Sequence, residues 1–270
     1  MAIKRHSSNL HRLVDIAPNI IFYDVEDLEQ SDLLQKESID AVLHAATSYG
    51  RSGESYEEIY AANLKLPLQI LKMASAAKVR VFMNVDTIIP SNTNLYSLSK
   101  REFHSIGKQF ADQKFINFIN VRLEHLYGPG DDAYKFVPWL IEGCLKNVSN
   151  IALTAGEQLR DFIYVSDAAA GLIKILKCLD EIGGGYQEIE LGNGNAILMQ
   201  KFIKLVHKLT GSTSKLGFGE IQYRNDEPMF SQANLSRMTQ LQWQPMMDLE
   251  RGLQITIESQ SQKECSIWNY

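Results

Sequence analysis

The chain has 270 residues, of which 45% are hydrophobic and 22% charged, and its formal net charge is −5. This length allows one large domain or two small ones, and a mildly acidic chain without blocks of like charge is not typical of proteins that bind nucleic acid or an anionic membrane. No apolar run reaches the roughly 18–20 residues of a membrane span, and no signal-peptide apolar region is present, so we predict a cytoplasmic protein.

The three cysteines, Cys144, Cys178 and Cys265, are far apart and lack metal-ligand spacing. They are typical of free thiols in a reducing compartment, and no metal site is predicted.

The first half of the chain alternates short apolar runs with helical patterns, which is typical of parallel strands joined by helices. The predicted strands are 2–4, 19–23, 41–45, 79–85 and 116–123, and the predicted helices are 56–77 and 96–113. Continuous apolar strands indicate a sheet that is covered on both faces. From about Gly128 onward, turn-rich segments separate shorter elements, which predicts a smaller second lobe.

The glycine-rich turn that usually follows the first strand of a dinucleotide-binding α/β domain is not found before Ala41. Gly192 and Gly194 form a close pair late in the chain, before a helical pattern over 197–205. A plain turn at a helix start is the interpretation we adopt for this pair.

Tyr96 and Lys100 lie at the start of a predicted helix, where i, i+4 spacing places both side chains on one face. A nearby ammonium lowers the pKa of a tyrosine from about 10, and such a tyrosine exchanges a proton with a substrate oxygen. The same spacing also occurs on ordinary amphipathic helices, so the pair alone is a weak signal.

Further blocks accompany this pair in a fixed order. They are the run His44, Ala45 and Ala46, the strand 81–86, and the runs RLEHLYGPGD at 122–131, RDFIYVSD at 160–167 and YRNDE at 223–227. The set resembles the extended short-chain dehydrogenase/reductase family, the NAD-dependent epimerase/dehydratase group, from about residue 3 to residue 257. The runs at 122–131 and 160–167 are most similar to reductases that use NADPH on the 4-keto group of a CDP-linked dideoxy sugar.

The resemblance implies an α/β fold, with a Rossmann-like doubly wound parallel sheet and a smaller C-terminal α/β substrate lobe. We assign 1–127, with parts of 160–205, to the dinucleotide-binding domain, and 128–159 and 206–257 to the lobe. Residues 1–5 resemble the second strand of the fold, so the first strand, turn and helix are not among these residues. This difference is explained by a mis-called start codon, by a fragment, or by a truncated domain with another role. We expect weak cofactor binding and low stability of the chain as given.

The resemblance also implies residue roles. Tyr96 and Lys100 would be catalytic. The cofactor-binding positions would be Arg5, Asp24, Val25, His44, Ala45, Ala46 and Lys100. The substrate-binding positions would be Asp86, His125, Arg160, Arg224 and Glu227, of which the arginines suit a nucleotide diphosphate.

Several of these roles have alternatives. A cation at Arg5 can meet the 2′-phosphate of NADP, so NADP is expected, with NAD left open. Arg5 is otherwise a solvated surface cation, and Asp24 with Val25 is otherwise an acidic helix-capping loop. Asp161 and Asp167 are expected to be structural, capping turns and helix starts.

Val85 stands where the family has a catalytic serine or threonine, and its side chain has no hydroxyl group. Thr87, two residues further on, is predicted to supply that hydroxyl. Asp86 matches the acid of the 4,6-dehydratases, but Thr87 replaces their glutamate, so reduction or epimerisation is expected rather than dehydration.

The leading hypothesis is therefore an NADP-dependent reductase of a 4-keto nucleotide sugar, of the kind used for O-antigen deoxysugars in lipopolysaccharide. The alternatives are a 4-epimerase that retains bound NAD, and a catalytically impaired homologue that only binds a nucleotide sugar or a partner. A homodimer, paired through the helices that include Tyr96, is what the resemblance implies.

Overall fold

The computed structural model describes residues 1–30, 33–51, 53–90 and 93–267. Within these ranges the strands are β1 (Ala2–Lys4), β2 (Phe22–Asp24), β3 (Ala41–His44), β4 (Val81–Thr87), β5 (Asn117–Leu123), β6 (His125–Tyr127), β7 (Asn150–Leu153), β8 (Leu159–Tyr164), β9 (Tyr186–Leu191), β10 (Ala196–Leu198) and β11 (Lys215–Phe218). The α-helices are α1 (Leu33–Lys36), α2 (Tyr56–Tyr60), α3 (Leu66–Ala76), α4 (Leu95–Asp112), α5 (Phe136–Leu145), α6 (Val165–Lys177), α7 (Leu179–Ile182), α8 (Met199–Leu209), α9 (Ser236–Gln240) and α10 (Leu249–Ile267).

The central sheet is parallel, in the order β3-β4-β5-β9. The predicted parallel arrangement of the first-half strands is therefore confirmed. β1 and β2 form a separate parallel pair. The carboxyl ends of β3, β4 and β5 meet at one edge of the sheet, which is where open α/β folds place their binding sites.

Both faces of the sheet are covered, as the apolar strands predict. On one face Phe82 and Phe118 stack with ring centroids 5.7 Å apart, and Phe103 of α4 packs edge-on against both. Gly107 lets α4 approach this closely, because a Cβ atom there would overlap the Phe118 ring. On the other face a second buried cluster joins the sheet to α6 and α9.

The helical pattern predicted over 56–77 is interrupted by a π-helical turn at Ala61–Lys65, between α2 and α3. Asn63 lies buried in this turn, and its side chain bonds the Thr47 hydroxyl, the Ser48 backbone and the Ser99 hydroxyl. Such turns are frequent at functional sites. Here the turn fixes the loop after β3 against α4.

The lobe after β5 contains the sheets β10-β8-β6 and β11-β7, with α5, α8 and α10. Its core includes a stacked pair, Phe162 and Phe202, whose ring centroids are 4.0 Å apart. Residues of α8, part of which we assigned to the first domain, belong to this core. The division into two domains remains a prediction.

Gly192 and Gly194 form a turn rather than a phosphate loop. The backbone N–H groups of Asn193 and Gly194 donate to the carboxylate of Asp161, each at 2.8 Å. The structural role predicted for Asp161 agrees with this contact. The helix predicted over 197–205 begins at Met199, because residues 196–198 pair with β8 as β10.

Cys144 and Cys178 are buried free thiols, in keeping with the sequence prediction, whereas the side chain of Cys265 lies outside the described residues. Among the helices that the structure describes, none is long and apolar enough to cross a membrane.

Candidate active site

Tyr96 and Lys100 lie in the first two turns of α4, on the helix face that meets the end of β4. The helix begins with a capping box. The Asn94 side chain accepts a hydrogen bond from the Ser97 N–H, and the Ser97 hydroxyl oxygen accepts one from the Asn94 N–H. β4 runs two residues further than predicted, because Asp86 and Thr87 pair with β5. Thr87 is therefore on the strand end that faces Tyr96.

One cavity of about 640 Å³ joins these residues to the second lobe. Nine of the predicted site residues line it, and they come from segments far apart in the chain. They are Ala45, Asp86, Thr87, Tyr96, Lys100, His125, Arg160, Arg224 and Glu227. The structure therefore brings the catalytic and substrate-binding candidates together, while their individual roles remain predictions.

Tyr96 is 8% exposed and lines the cavity together with Thr87. Burial raises the pKa of Tyr96 well above its usual value, Tyr49 adds to the rise, and the Thr87 side chain opposes it. The Thr87 hydroxyl oxygen also accepts a hydrogen bond from the Ile89 N–H at 3.2 Å, which holds the oxygen in place. At neutral pH Tyr96 is therefore a protonated phenol that has a proton to give.

Lys100 is 2% exposed, and its ammonium donates to the Val85 carbonyl oxygen at 2.6 Å. Burial lowers the pKa of Lys100 to about 8, while the charge of Asp86 acts in the opposite direction. We expected Lys100 to lower the pKa of Tyr96. The structure corrects this expectation, because burial dominates at Tyr96 and the ammonium is turned toward Val85.

The far end of the cavity carries the charges expected to meet a nucleotide. Arg160 donates to Glu227 at 2.7 Å, and Arg224 lines the wall nearby. His125 contacts Glu124 at 3.2 Å and keeps a third of its side chain exposed, at 33%. The Gln158 side-chain oxygen is buried there without a hydrogen-bond partner, so it could accept a hydrogen bond from a bound ligand.

The other predicted cofactor residues are not on this cavity. His44 is 5% exposed and packs between Phe82 and Phe103, so only its backbone could meet a ligand. Asp24 binds Lys4 and His6, and its pKa is lowered by the Lys4 hydrogen bond first and then by His6. The roles of these residues, and of Arg5, Val25 and Ala46, remain predictions.

Tyr49 was missed by the sequence reasoning. Its ring lies 4.9 Å from that of Tyr96, and the Lys135 ammonium lies 4.7 Å above it while also pairing with Asp131 at 2.8 Å. The signal in the sequence was the Tyr-Gly-Arg run that follows β3 within a few residues. Its place beside Tyr96 depends on the path of the loop after β3, which no local pattern reveals.

The described residues fit the nicotinamide half of a dinucleotide. Small and polar residues at the end of β3, Ala45 and Thr47, lie on the cavity with Tyr96 and Lys100. The parts of the chain that the structure describes contain no cluster of three or more residues suited to hold a metal ion.

A profile of the NAD dependent epimerase/dehydratase family matches residues 1–192. The chain belongs to this family. CDP-abequose synthase of Salmonella typhimurium is 34% identical over 234 residues, which cover 82% of this chain and 78% of that protein. UDP-glucuronate 4-epimerase of Thermodesulfobacterium geofontis is 25% identical over 248 residues, covering 82% of this chain and 72% of the relative.

Solved structures of nucleotide-sugar epimerases confirm the predicted Rossmann-like α/β fold. UDP-glucose 4-epimerase of Thermotoga maritima, solved with UDP-glucose, superposes with a TM-score of 0.80 at 20% identity, covering 97% of this chain and 90% of that one. UDP-glucuronic acid 4-epimerase of Bacillus cereus, solved with UDP-glucuronic acid and NAD, superposes with a TM-score of 0.80 at 21% identity. The match covers 94% of this chain and 86% of that one.

Proposed function

We propose that the protein is an NADP-dependent oxidoreductase that reduces the 4-keto group of a CDP-linked deoxysugar. The observation that supports this most directly is the protonated Tyr96, held by Thr87 beside Lys100, at one end of the cavity whose other end holds Arg160 and Arg224. The similarity to CDP-abequose synthase favours CDP as the nucleotide.

The reaction needs a proton at the keto oxygen and a hydride at the carbon that bears it. The nicotinamide, when bound, supplies the hydride. Tyr96 gives its phenolic proton to the sugar oxygen, and its raised pKa means that this proton is present at neutral pH. The Thr87 hydroxyl then stabilises the phenolate oxygen that remains.

At the other end of the cavity, Arg160 and Arg224 would bind the diphosphate, and Glu227 would accept hydrogen bonds from the ribose hydroxyls. The exposed Arg5 is the cation proposed for the 2′-phosphate of NADP. The homodimer, the cytoplasmic location and the lack of a nucleic-acid partner remain predictions.

The test is an assay of the purified protein with NADPH and CDP-, dTDP-, UDP- and GDP-linked 4-keto sugars. We expect loss of the reduced-nicotinamide absorbance with the CDP-linked substrate, and slower loss with NADH than with NADPH. No consumption with any of the four would contradict a reductase.

A 4-epimerase is the second candidate, and the solved epimerases of similar fold favour it. Such an enzyme returns the hydride to the same sugar. It would interconvert two nucleotide sugars with tightly retained NAD and without net consumption of added NADPH. Binding of nucleotide sugar without any turnover would instead favour a catalytically impaired homologue.

Replacing Thr87 with valine is expected to lower kcat by roughly tenfold to a hundredfold, since a hydrogen bond to a charged oxygen is worth about 1.5–3 kcal/mol. Thr87→Ser keeps the hydroxyl and should stay close to wild type. Steady-state kinetics of both variants provide the measurement. Equal kcat values for the valine variant and the wild type would remove Thr87 from the mechanism.

The pH profile of kcat should fall on the alkaline side, as Lys100 loses its proton near the pKa of about 8. Below that pH the ammonium is present and donates to the Val85 carbonyl oxygen at the end of β4, and above it this positive charge is lost from the site. Because the charge of Asp86 raises the pKa of Lys100, Asp86→Asn should move the alkaline limb to lower pH. An alkaline limb that stays at the same pH in Asp86→Asn would contradict the assignment of this limb to Lys100.

A further inference from the structure

The ring of Tyr96, which gives the proton in the proposed reaction, packs against a second tyrosine. Tyr49, in the loop after β3, has its ring centroid 4.9 Å from that of Tyr96, and the two rings are tilted by 39°. Both residues line the cavity. Among the residues that the structure describes, Tyr49 provides the one ring contact of Tyr96.

Two cations lie close to the Tyr49 ring. The Lys135 ammonium is 4.7 Å from the centroid of this ring, and the Arg51 guanidinium is 5.7 Å from it. Both distances are within the range of about 6 Å in which a cation is attracted to an aromatic ring. Lys135 also pairs with Asp131 at 2.8 Å, and its side chain is only 21% exposed. Because the ammonium is largely removed from water, its attraction to the ring is stronger than at an exposed site.

The contact with Lys135 joins the two lobes. Tyr49 belongs to the loop that follows β3 in the central sheet, whereas Lys135 is the N-cap residue of α5 in the second lobe. Asp131, which pairs with Lys135, lies in the turn after β6. The Lys135 ammonium therefore ties the second lobe to the ring that packs against Tyr96.

Hydrogen bonds behind the two rings link the same parts of the chain. The Asn63 side chain, 1% exposed, accepts from the Ser48 N–H at 2.7 Å and donates to the Ser99 hydroxyl of α4 at 3.0 Å. The Ser99 hydroxyl donates in turn to the Tyr96 carbonyl oxygen at 2.8 Å. One buried amide thus connects the residue before Tyr49 to the backbone of Tyr96.

Gly50 sets the direction of the chain directly after Tyr49. Its φ of +66° lies in the left-handed region, which favours glycine because a Cβ atom is strained there. A Cβ atom at Gly50 would also lie 2.5 Å from Cδ1 of Ile59 in α2. The turn therefore packs directly on α2, which limits the positions that the Tyr49 ring can take.

We propose that Tyr49 is a positioning residue that holds the Tyr96 ring in the orientation that directs its hydroxyl at the keto oxygen, and that Lys135 keeps Tyr49 in place. The inference rests on the proposed role of Tyr96 as proton donor, and it applies to a reductase and an epimerase alike. A tyrosine side chain rotates about two bonds, so a proton donor at a cavity wall needs packing on its ring to keep one orientation. A misplacement of about 1 Å at a reacting group can lower a rate by about a hundredfold.

Tyr49→Leu removes the aromatic ring and keeps an apolar side chain. We expect kcat to fall by roughly tenfold to a hundredfold, while the affinity for CDP, measured by calorimetry, stays within about twofold of wild type. Tyr49→Phe keeps the ring and its attraction to Lys135, so it should restore kcat to near the wild-type value. Tyr56→Leu is the matched control and should keep wild-type kcat. Tyr56 also packs against a tyrosine, with its ring centroid 6.0 Å from that of Tyr60, but it lies outside the cavity.

A double-mutant cycle tests whether Lys135 acts through Tyr49. Lys135→Met removes the charge and keeps the length of the side chain. We expect kcat to fall by roughly threefold to tenfold, because Arg51 still lies near the ring. In Tyr49→Leu the ammonium has no ring to hold, so adding Lys135→Met should lower kcat by less than about twofold further. If the effects of the two substitutions multiply, the role of Lys135 is overturned.

Fluorine NMR reports on the Tyr96 ring without turnover. The protein is labelled with 3-fluorotyrosine, and the resonance that disappears in Tyr96→Phe is assigned to Tyr96. We expect this resonance to shift and broaden in Tyr49→Leu and to keep its wild-type position in Tyr56→Leu. Lys135→Met should also shift it, which keeps the test available if Tyr49→Leu does not fold.

A wild-type kcat in Tyr49→Leu would overturn the positioning role. Equal losses of kcat and of CDP affinity would also overturn it, because they indicate damage to the whole cavity. A Tyr96 resonance that is unchanged in both Tyr49→Leu and Lys135→Met would overturn it even in an active enzyme. If the wild type reduces no 4-keto sugar while the resonance shifts as expected, the reductase function alone is overturned.

Discussion

Tyr96→Phe is expected to lower kcat by about a hundredfold to ten-thousandfold, which is the contribution of a well-placed proton donor. Phenylalanine keeps the ring that packs 4.9 Å from Tyr49, so the shape of the cavity should persist. Affinity for CDP, measured by calorimetry, should therefore change little while kcat collapses.

The exposed Tyr60 offers a matched control, since Tyr60→Phe removes a phenolic hydroxyl from a side chain that is 41% exposed and outside the cavity. Its kcat should equal that of the wild type. A Tyr96→Phe variant that retains more than about a tenth of wild-type kcat would exclude Tyr96 as the proton donor.

Asp161→Ala should destabilise the protein by about 3 kcal/mol or more, because each buried donor that loses its acceptor costs about 1–3 kcal/mol. The fully buried carboxylate accepts hydrogen bonds from the backbone N–H groups of Asn193, Gly194 and Ala233, at 2.8, 2.8 and 3.1 Å. These contacts join β8 to two later loops. Urea unfolding monitored by circular dichroism measures the loss.

Asp15→Ala, at an exposed position, is the control and should shift the free energy of unfolding by no more than about 0.5 kcal/mol. An Asp161→Ala variant with the wild-type unfolding midpoint would show that the two loops do not depend on this carboxylate.

Much of the sheet was predictable because its strands are continuous apolar runs bounded by turns. The run from Val81 shows this, and it also shows the limit. Its apolar character ends at Val85, yet the strand continues to Thr87 because Asp86 and Thr87 pair with Arg122 and Leu123. Pairing with a neighbouring strand is not visible in a local pattern.

The catalytic pair was predictable from i, i+4 spacing and from the order of the surrounding blocks, whereas its electrostatics were not. Spacing indicated that Lys100 would lower the pKa of Tyr96. Burial instead raises the pKa of Tyr96, and the degree to which a side chain is buried depends on the whole fold. The sequence likewise shows His104 on the same helix face as Lys100, but its contact with Tyr186 joins residues 82 positions apart.

Isotope labelling tests most directly whether the protein transfers a hydride from NADPH to the sugar. NADPH carrying deuterium at the transferred position of the nicotinamide is incubated with the wild-type protein and a CDP-linked 4-keto deoxysugar. We predict a product sugar that carries one deuterium, bound to C4, with one NADP⁺ formed for each sugar reduced. A product without deuterium at C4, or interconversion of sugars with no NADP⁺ formed, would contradict the proposed reductase.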